Sequence, residues 1–300
     1  MRWVFMMMLL TMRMNSGAEA PPPVEFIDDE GFMKSFEKSL CQAGDEAAAP
    51  PWTKLKEPSG RLDAAWKPPA PSPQPVPAGQ MYRRCSDAVL AISSAWKNEA
   101  GTWECGEPAT AWVIDPSGIA VTNAHVFESA RASEVFGVMT RRGVFHPVVS
   151  LLARDEHRDV AIFRIPAKGL PALALSPDEP VGNAIAVISH PDQQFYTFTQ
   201  GSITRYTLLR EKPELPPVPY LCVSADFARG SSGGPVFNGN GAVVGMVCST
   251  MTTYYGRKGE DPDDDVQMVV RFCIPARSVL QVLASLGSAT TKPPAAQPPR

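Results

Sequence analysis

Between residues 85 and 287 the chain alternates short apolar runs with Gly, Pro, Asn and Asp turns. The runs are Val89–Ile92, Ala111–Ile114, Ile119–Thr122, Val160–Ile165, Ala184–Ile188, Tyr196–Ile203, Tyr220–Val223, Ala242–Val247 and Val266–Cys273. Runs of this length, each closed by turn residues, predict β-strands, and their regular spacing predicts an all-β barrel or sandwich. Helical spacing shows in two places. Phe26, Ile27, Phe32, Met33, Phe36 and Leu40 recur among charges and fit a short amphipathic helix within Glu25–Cys41. Near the other end, Pro275 suits a first helical position, Ser278–Leu286 keeps an apolar face and Gly287 suits a stop.

Composition sets the boundaries. The 31 prolines cluster outside the strand-rich region. Residues 50–79 hold so many that helix and most sheet pairing are ruled out, so 21–84 reads as a proline-rich N-terminal segment or linker. Residues 288–300 read as a disordered proline-rich tail. Residues 1–20 have the form of a signal peptide. Arg2 gives a positive start, Trp3–Leu10 an apolar run and Ser16–Ala20 a small-residue exit, with cleavage after Ala18 or Ala20. Arg13 leaves that run too short to span a bilayer of roughly 30 Å. The expected product is exported, periplasmic or secreted, with no membrane span after cleavage. A formal net charge of -3 makes no electrostatic case for nucleic acid. Cys41, Cys85, Cys105, Cys222, Cys248 and Cys273 allow up to three disulfides in an exported chain. Cys85 and Cys105 form a plausible local pair, and Cys41, in a different region, is expected to be free. No CxxC or paired-histidine spacing indicates zinc.

Candidate chemistry centres on Arg229-Gly230-Ser231-Ser232-Gly233-Gly234-Pro235. Glycines this dense suit a sharp turn in close contact with other backbone, and a serine held on such a turn is a candidate nucleophile. A plain Gly/Ser connection between strands is the simpler alternative. A nucleophilic serine needs a base and an orienting acid. Of the four histidines, His146, His157 and His190 lie in loop, charged and turn contexts, whereas His125 follows the strand-like Ile119–Thr122. Asp159 directly precedes the apolar Val160–Phe163. Taken singly, His125 reads equally as a core histidine and Asp159 as a solvent charge at a strand edge.

Three segments in order carry a resemblance. Thr110–Val126 looks like a histidine motif with its preceding hairpin, Arg158–Ile162 like an aspartate motif, and Gly230–Pro235 like a GxSGGP serine motif. Together they resemble the trypsin-like (chymotrypsin-fold) serine peptidases, especially the bacterial exported branch that includes the HtrA/Deg proteases. The similarity covers about 85–287. It implies two six-stranded Greek-key β-barrels, at about 85–168 and 172–273, followed by a C-terminal helix at 275–287. It also implies a serine endopeptidase acting on a protein or peptide substrate through an acyl-enzyme, with no metal or organic cofactor. Ser232 is then the nucleophile, His125 the base and Asp159 its orienter, and the Gly230 and Ser232 amides form the oxyanion hole. Ser231 is a decoy, because the family pattern puts the nucleophile directly before the glycine pair. The chain lacks cysteines close after His125 and close before Ser232, where many animal trypsins have them, which favours the bacterial branch.

HtrA proteins carry a PDZ domain after the protease. The 13 residues after Gly287 leave no room for one, so a protease without a PDZ domain is expected. Asp226 lies six residues before Ser232, where trypsins keep an acid at the base of the specificity pocket. A preference for basic side chains follows if it sits there; the alternative is a turn cap. Cys248, Ser249 and Thr250 are candidates for the edge along which substrate backbone pairs. Two other classes compete. A catalytically silent protease fold binding peptides has no need of the full His125–Asp159–Ser232 set. An α/β-hydrolase wants the order serine, acid, histidine and a helix after the serine, and this chain has neither.

Overall fold

A computed structural model of the chain describes residues 24–59, 62, 66–128, 131–210, 213–254 and 266–287. The signal peptide expected at 1–20 and the tail at 288–300 lie outside them. All nine apolar runs form strands. In chain order the strands are β1 (Val89–Lys97), β2 (Trp103–Cys105), β3 (Ala109–Asp115), β4 (Ile119–Thr122), β5 (Val135–Thr140), β6 (Phe145–Pro147), β7 (Ser150–Asp155) and β8 (Val160–Arg164). There follow β9 (Ala184–Ser189), β10 (Thr197–Leu209), β11 (Val218–Val223), β12 (Pro235–Asn238), β13 (Val243–Tyr254) and β14 (Val266–Pro275). Among the described residues four α-helices accompany them: α1 (Asp29–Asp45), α2 (Trp52–Leu55), α3 (Ala78–Cys85) and α4 (Ala276–Gly287).

The strands form two antiparallel sheets. The second closes as a six-stranded barrel in the order β10-β11-β14-β13-β12-β9, as expected. The first has eight strands. Its main path runs β6-β5-β1-β3-β4-β8-β7, with β2 paired to β1. It curls round its own core without a hydrogen-bonded seam between β6 and β7, so it is a half-barrel in ladder terms.

The period-2 alternation of strands separates inside from outside. Leu90 and Ile92 of β1 point into the first sheet's core with Val113, Phe136, Leu151 and Phe163. Val89 and Ala91 face the larger cluster shared with α1, α4 and the second barrel. Ile185, Val187, Leu221, Val236 and Val247 fill the second barrel. Helix α4 caps the assembly with Val279, Val282, Leu283 and Leu286 buried.

The N-terminal region departs from the linker expectation. Among the described residues of 50–79 the prolines leave only the single turn of α2 and the start of α3, but apolar residues of the region are buried. Phe36 and Leu40 of α1 are fully buried in the shared core, and Trp52 and Leu55 of α2 close the end of the first sheet's core. Extended stretches then strap the surface. Ser59 N donates to Leu151 O at 2.8 Å, Trp66 Nε1 to Asp115 at 2.7 Å and Val76 N to Gly239 O at 2.7 Å. Proline forbids a ladder but not a buried contact, so the segment is a belt on the folded unit. The helix expected within Glu25–Cys41 starts and ends four residues later than that stretch, at Asp29 and Asp45. Asp28 caps its N-terminus by accepting from Gly31 N at 3.0 Å.

Candidate active site

The three motifs converge where the two sheets meet. Thr110 of β3 joins them to the serine loop. Its amide donates to Ser232 O at 2.8 Å and its hydroxyl to Gly230 O at 2.9 Å, while Thr122 Oγ1 donates to Thr110 O at 2.7 Å. Gly230 and Gly233 both hold positive φ, 88° and 85°. A Cβ on Gly233 would collide with Thr110 O and Thr122 Oγ1, and one on Gly230 with His190 O. Only glycine permits this combination of φ and close packing.

His125 sits in a single 3-10 turn, Ala124–Phe127, directly after β4, and buried Phe127 anchors the turn in the first core. Asp159 precedes β8 in the left-handed region, at φ 54°. Such a conformation in a non-glycine residue costs about 1–3 kcal/mol and persists only where surroundings impose it. Here they do. Asn123 Nδ2 donates to Asp159 O at 3.2 Å, and the carboxylate accepts from the His125 amide at 3.0 Å. The His125 ring Nδ1 lies 2.9 Å from Asp159 Oδ2. With Nδ1 donating to that carboxylate, Nε2 keeps its lone pair.

Cys248 ties the acid to the serine. Its thiol donates to Asp159 Oδ2 at 3.3 Å, and its backbone carbonyl accepts from Ser232 Oγ at 3.4 Å. The serine hydroxyl therefore rests on Cys248 rather than on the imidazole. Hydrogen bonds of a catalytic set are commonly loose before substrate binds. Among the described residues the Gly230 and Ser232 amides have no acceptor, whereas the intervening Ser231 N bonds Ala228 O at 3.0 Å. Two N–H donors of the serine turn are thus left free for a ligand. Ser231, the decoy, is fully buried, and Ser189 Oγ donates to its hydroxyl at 3.0 Å. It braces the loop.

The other candidates separate. Ser249 and Thr250 are exposed on β13, beyond the point where β12 stops pairing with it at Met246. β14 pairs with their other side, at Phe272 and Arg271, so one edge stays open. Asp226 is not the buried acid that a basic-residue pocket needs. Its side chain is 78% exposed and ion-paired with Arg271, so its charge is both solvated and neutralised. The remaining histidines lack a carboxylate partner of this kind: His146 is half-buried on β6, His157 lies in a turn and His190 is fully buried. Arg229 pairs with Glu107 at the surface, a contact worth little. Sulfur pairing also differs from expectation. No two sulfurs among the described residues lie at bonding distance, and the neighbour of Cys105 is Cys41, with Sγ atoms 3.9 Å apart. Cys85 is buried at the end of α3. No group of three or more His, Cys, Asp or Glu among the described residues is arranged to hold a metal ion.

Comparison with known proteins finds a family match and several relatives. The family model of the Trypsin-like peptidase domain matches residues 109–246. A DegP-like periplasmic serine endoprotease of Hahella chejuensis is 31% identical over 189 residues, covering 62% of this chain and 37% of that protein. A relative of the same description from Pseudomonas fluorescens is 32% identical over 150 residues, covering 49% of this chain and 30% of its own length. The chain thus spans about a third of the relatives it matches. Residues 109–246 match the trypsin-like peptidase domain, and the chain is similar to the DegP-like serine endoproteases.

Proposed function

We propose that this protein is an exported serine endopeptidase with Ser232, His125 and Asp159 as its catalytic triad. The observation that carries the reading is the Asp159 carboxylate, which receives His125 on one side and, through Cys248, is connected to Ser232 on the other. In the reaction Ser232 Oγ turns from the Cys248 carbonyl and attacks the scissile carbonyl carbon. His125 Nε2 takes its proton, and the developing oxyanion is met by the Gly230 and Ser232 amides. His125 then passes the proton to the leaving amine as the peptide C–N bond breaks. A water, deprotonated by the same nitrogen, releases the acyl group. Asp159 holds the imidazole tautomer and stabilises the imidazolium throughout. Losing one oxyanion donor typically lowers the rate by about 10²–10³. The route calls on no metal or organic cofactor.

Substrate backbone is placed along the open edge of β13 at Cys248, Ser249 and Thr250, adding a strand to the barrel. Export is supported by the signal-like residues 1–20 and by the periplasmic description of the relatives. No described helix is long and apolar enough to cross a membrane. The test is labelling with a fluorophosphonate probe. Wild type is expected to react, and Ser232→Ala and His125→Ala to lose the reaction while staying folded. Labelling retained in Ser232→Ala would move the nucleophile elsewhere. A folded wild type that never labels would favour a silent peptide-binding module.

A further inference from the structure

We infer that Cys41 and Cys105 form a disulfide that latches helix α1 to the first sheet. Their sulfurs are 3.9 Å apart although the residues are 64 positions apart. Both are partly exposed, so an oxidant has access. The surrounding surfaces already hold the approach. Trp103 of β2 packs against Gly44 so closely that a Cβ there would strike its ring, and Lys97 of β1 pairs with Asp45 at 2.9 Å. The bond needs only a small closure of the two side chains, since bonded sulfurs lie about 2.05 Å apart. The chemistry is an exchange. The two thiols give up two protons and two electrons to an external disulfide, protein-borne or small, which leaves as two thiols. Burial, then Cys41 itself, pushes the Cys105 thiol up to about 12. Cys105 is therefore a poor first attacker, and the exchange begins at Cys41.

The experiment is peptide mapping without reduction. The full chain is equilibrated with oxidised glutathione, acid-quenched and alkylated after denaturation. A linked Cys41–Cys105 peptide is expected, with Cys85, Cys222, Cys248 and Cys273 alkylated. Cys41→Ser and Cys105→Ser should each lower Tm by roughly 5–10 °C, and the double variant no further. Alkylation of both residues, or linkage of either to another cysteine, would overturn the assignment.

A different set of contacts concerns the other end of α1. We propose that α1 positions the oxyanion loop, an inference that rests on the triad reading. Asp29 accepts from Phe195 N at 2.9 Å, and the Phe32 ring lies 4.3 Å from that of Phe195 and 6.0 Å from that of Tyr196. Both of those rings pack on His190, at 5.4 and 4.7 Å, and Tyr196 N donates to His190 Nδ1 at 3.0 Å. The His190 carbonyl then abuts Gly230, and Asp192 N donates to Arg229 O at 2.7 Å. The bridging segment holds Asp192, Gln193 and Tyr196 at positive φ. Three such residues in one short stretch need external support, and α1 supplies it.

Phe32→Ala should slow fluorophosphonate labelling and lower kcat about tenfold with KM little changed, and Phe32→Tyr should restore both. Asp29→Asn is the milder companion, expected to act in the same direction with an unchanged fold. A control, Leu286→Ala, lowers stability away from this path and should leave kcat intact. Wild-type labelling that is matched by Phe32→Ala and Asp29→Asn would sink this proposal alone. Absence of labelling in wild type would instead sink the triad reading.

Discussion

His190 should make the protein acid-sensitive, by an amount that can be worked out. It is fully buried beneath the Gly230–Gly234 loop, its Nδ1 accepts from Tyr196 N at 3.0 Å, and its Nε2 reaches no acceptor at hydrogen-bonding geometry. Burial pushes the imidazole down to about 4, outweighing the backbone at Leu90 and Ser189, which favours the cation. In the unfolded chain the same group titrates near 6.5. Between about 4 and 6.5 the unfolded state therefore binds a proton that the folded state refuses, so stability falls as the pH falls. The difference of about 2.5 units, at about 1.4 kcal/mol each, caps the loss near 3.5 kcal/mol, and about 2 kcal/mol of it falls between pH 7 and 4.5. Urea unfolding of wild type and His190→Gln at the two pH values isolates the effect, since glutamine keeps an acceptor for Tyr196 and does not titrate. Wild type should lose about 2 kcal/mol more than the variant on acidification. Parallel stability curves would show that the imidazole is not held neutral, and the reasoning would fail.

Three further outcomes follow from the packing. Gly233→Ala places a methyl against Thr110 O and Thr122 Oγ1 at φ 85°, so it should cost about 3 kcal/mol or more, read as a loss of soluble protein or a large fall in Tm. Leu40→Ala empties a fully buried site on α1 and should cost about 2–5 kcal/mol by urea unfolding, whereas a dangling N-terminal segment would show no change. Cys248→Ala removes the thiol donor to Asp159 while keeping the carbonyl that receives Ser232. Peptide hydrolysis should show kcat down by about fivefold and KM steady, in keeping with roughly 1 kcal/mol for one weak hydrogen bond to a charge.

Much of the protease fold was legible because it is written locally. A strand such as Ile119–Thr122 announces itself by its apolar run, and the serine motif by its glycines. Short strands escaped for an equally local reason. β12 is only Pro235–Asn238, inside the glycine-proline stretch, and β5 contains Gly137 at its centre. The role of the N-terminal region was not legible, because burial without regular hydrogen bonding leaves no periodic trace. Trp52, Leu55 and Val76 sit among prolines and are nonetheless core residues.

The candidate site divides along the same line. His125, Asp159 and Ser232 were readable from their motifs, since each chemical group needs a particular turn or strand end immediately beside it. Their supports were not, because they come from across the chain. His190 was correctly placed in a turn, yet the rings that bury its side and the helix behind them belong to residues 29–36 and 195–196. The sequence around Cys248 suggests only a substrate edge, because its thiol contact with Asp159 spans 89 positions. Ser231 was set aside as a decoy, yet it bonds Ser189 beneath the loop. A serine turn with two unspent amides and several left-handed residues is not self-supporting. Its geometry has to be imposed from outside the motif, and in this chain part of that constraint traces back to a helix that begins at Asp29.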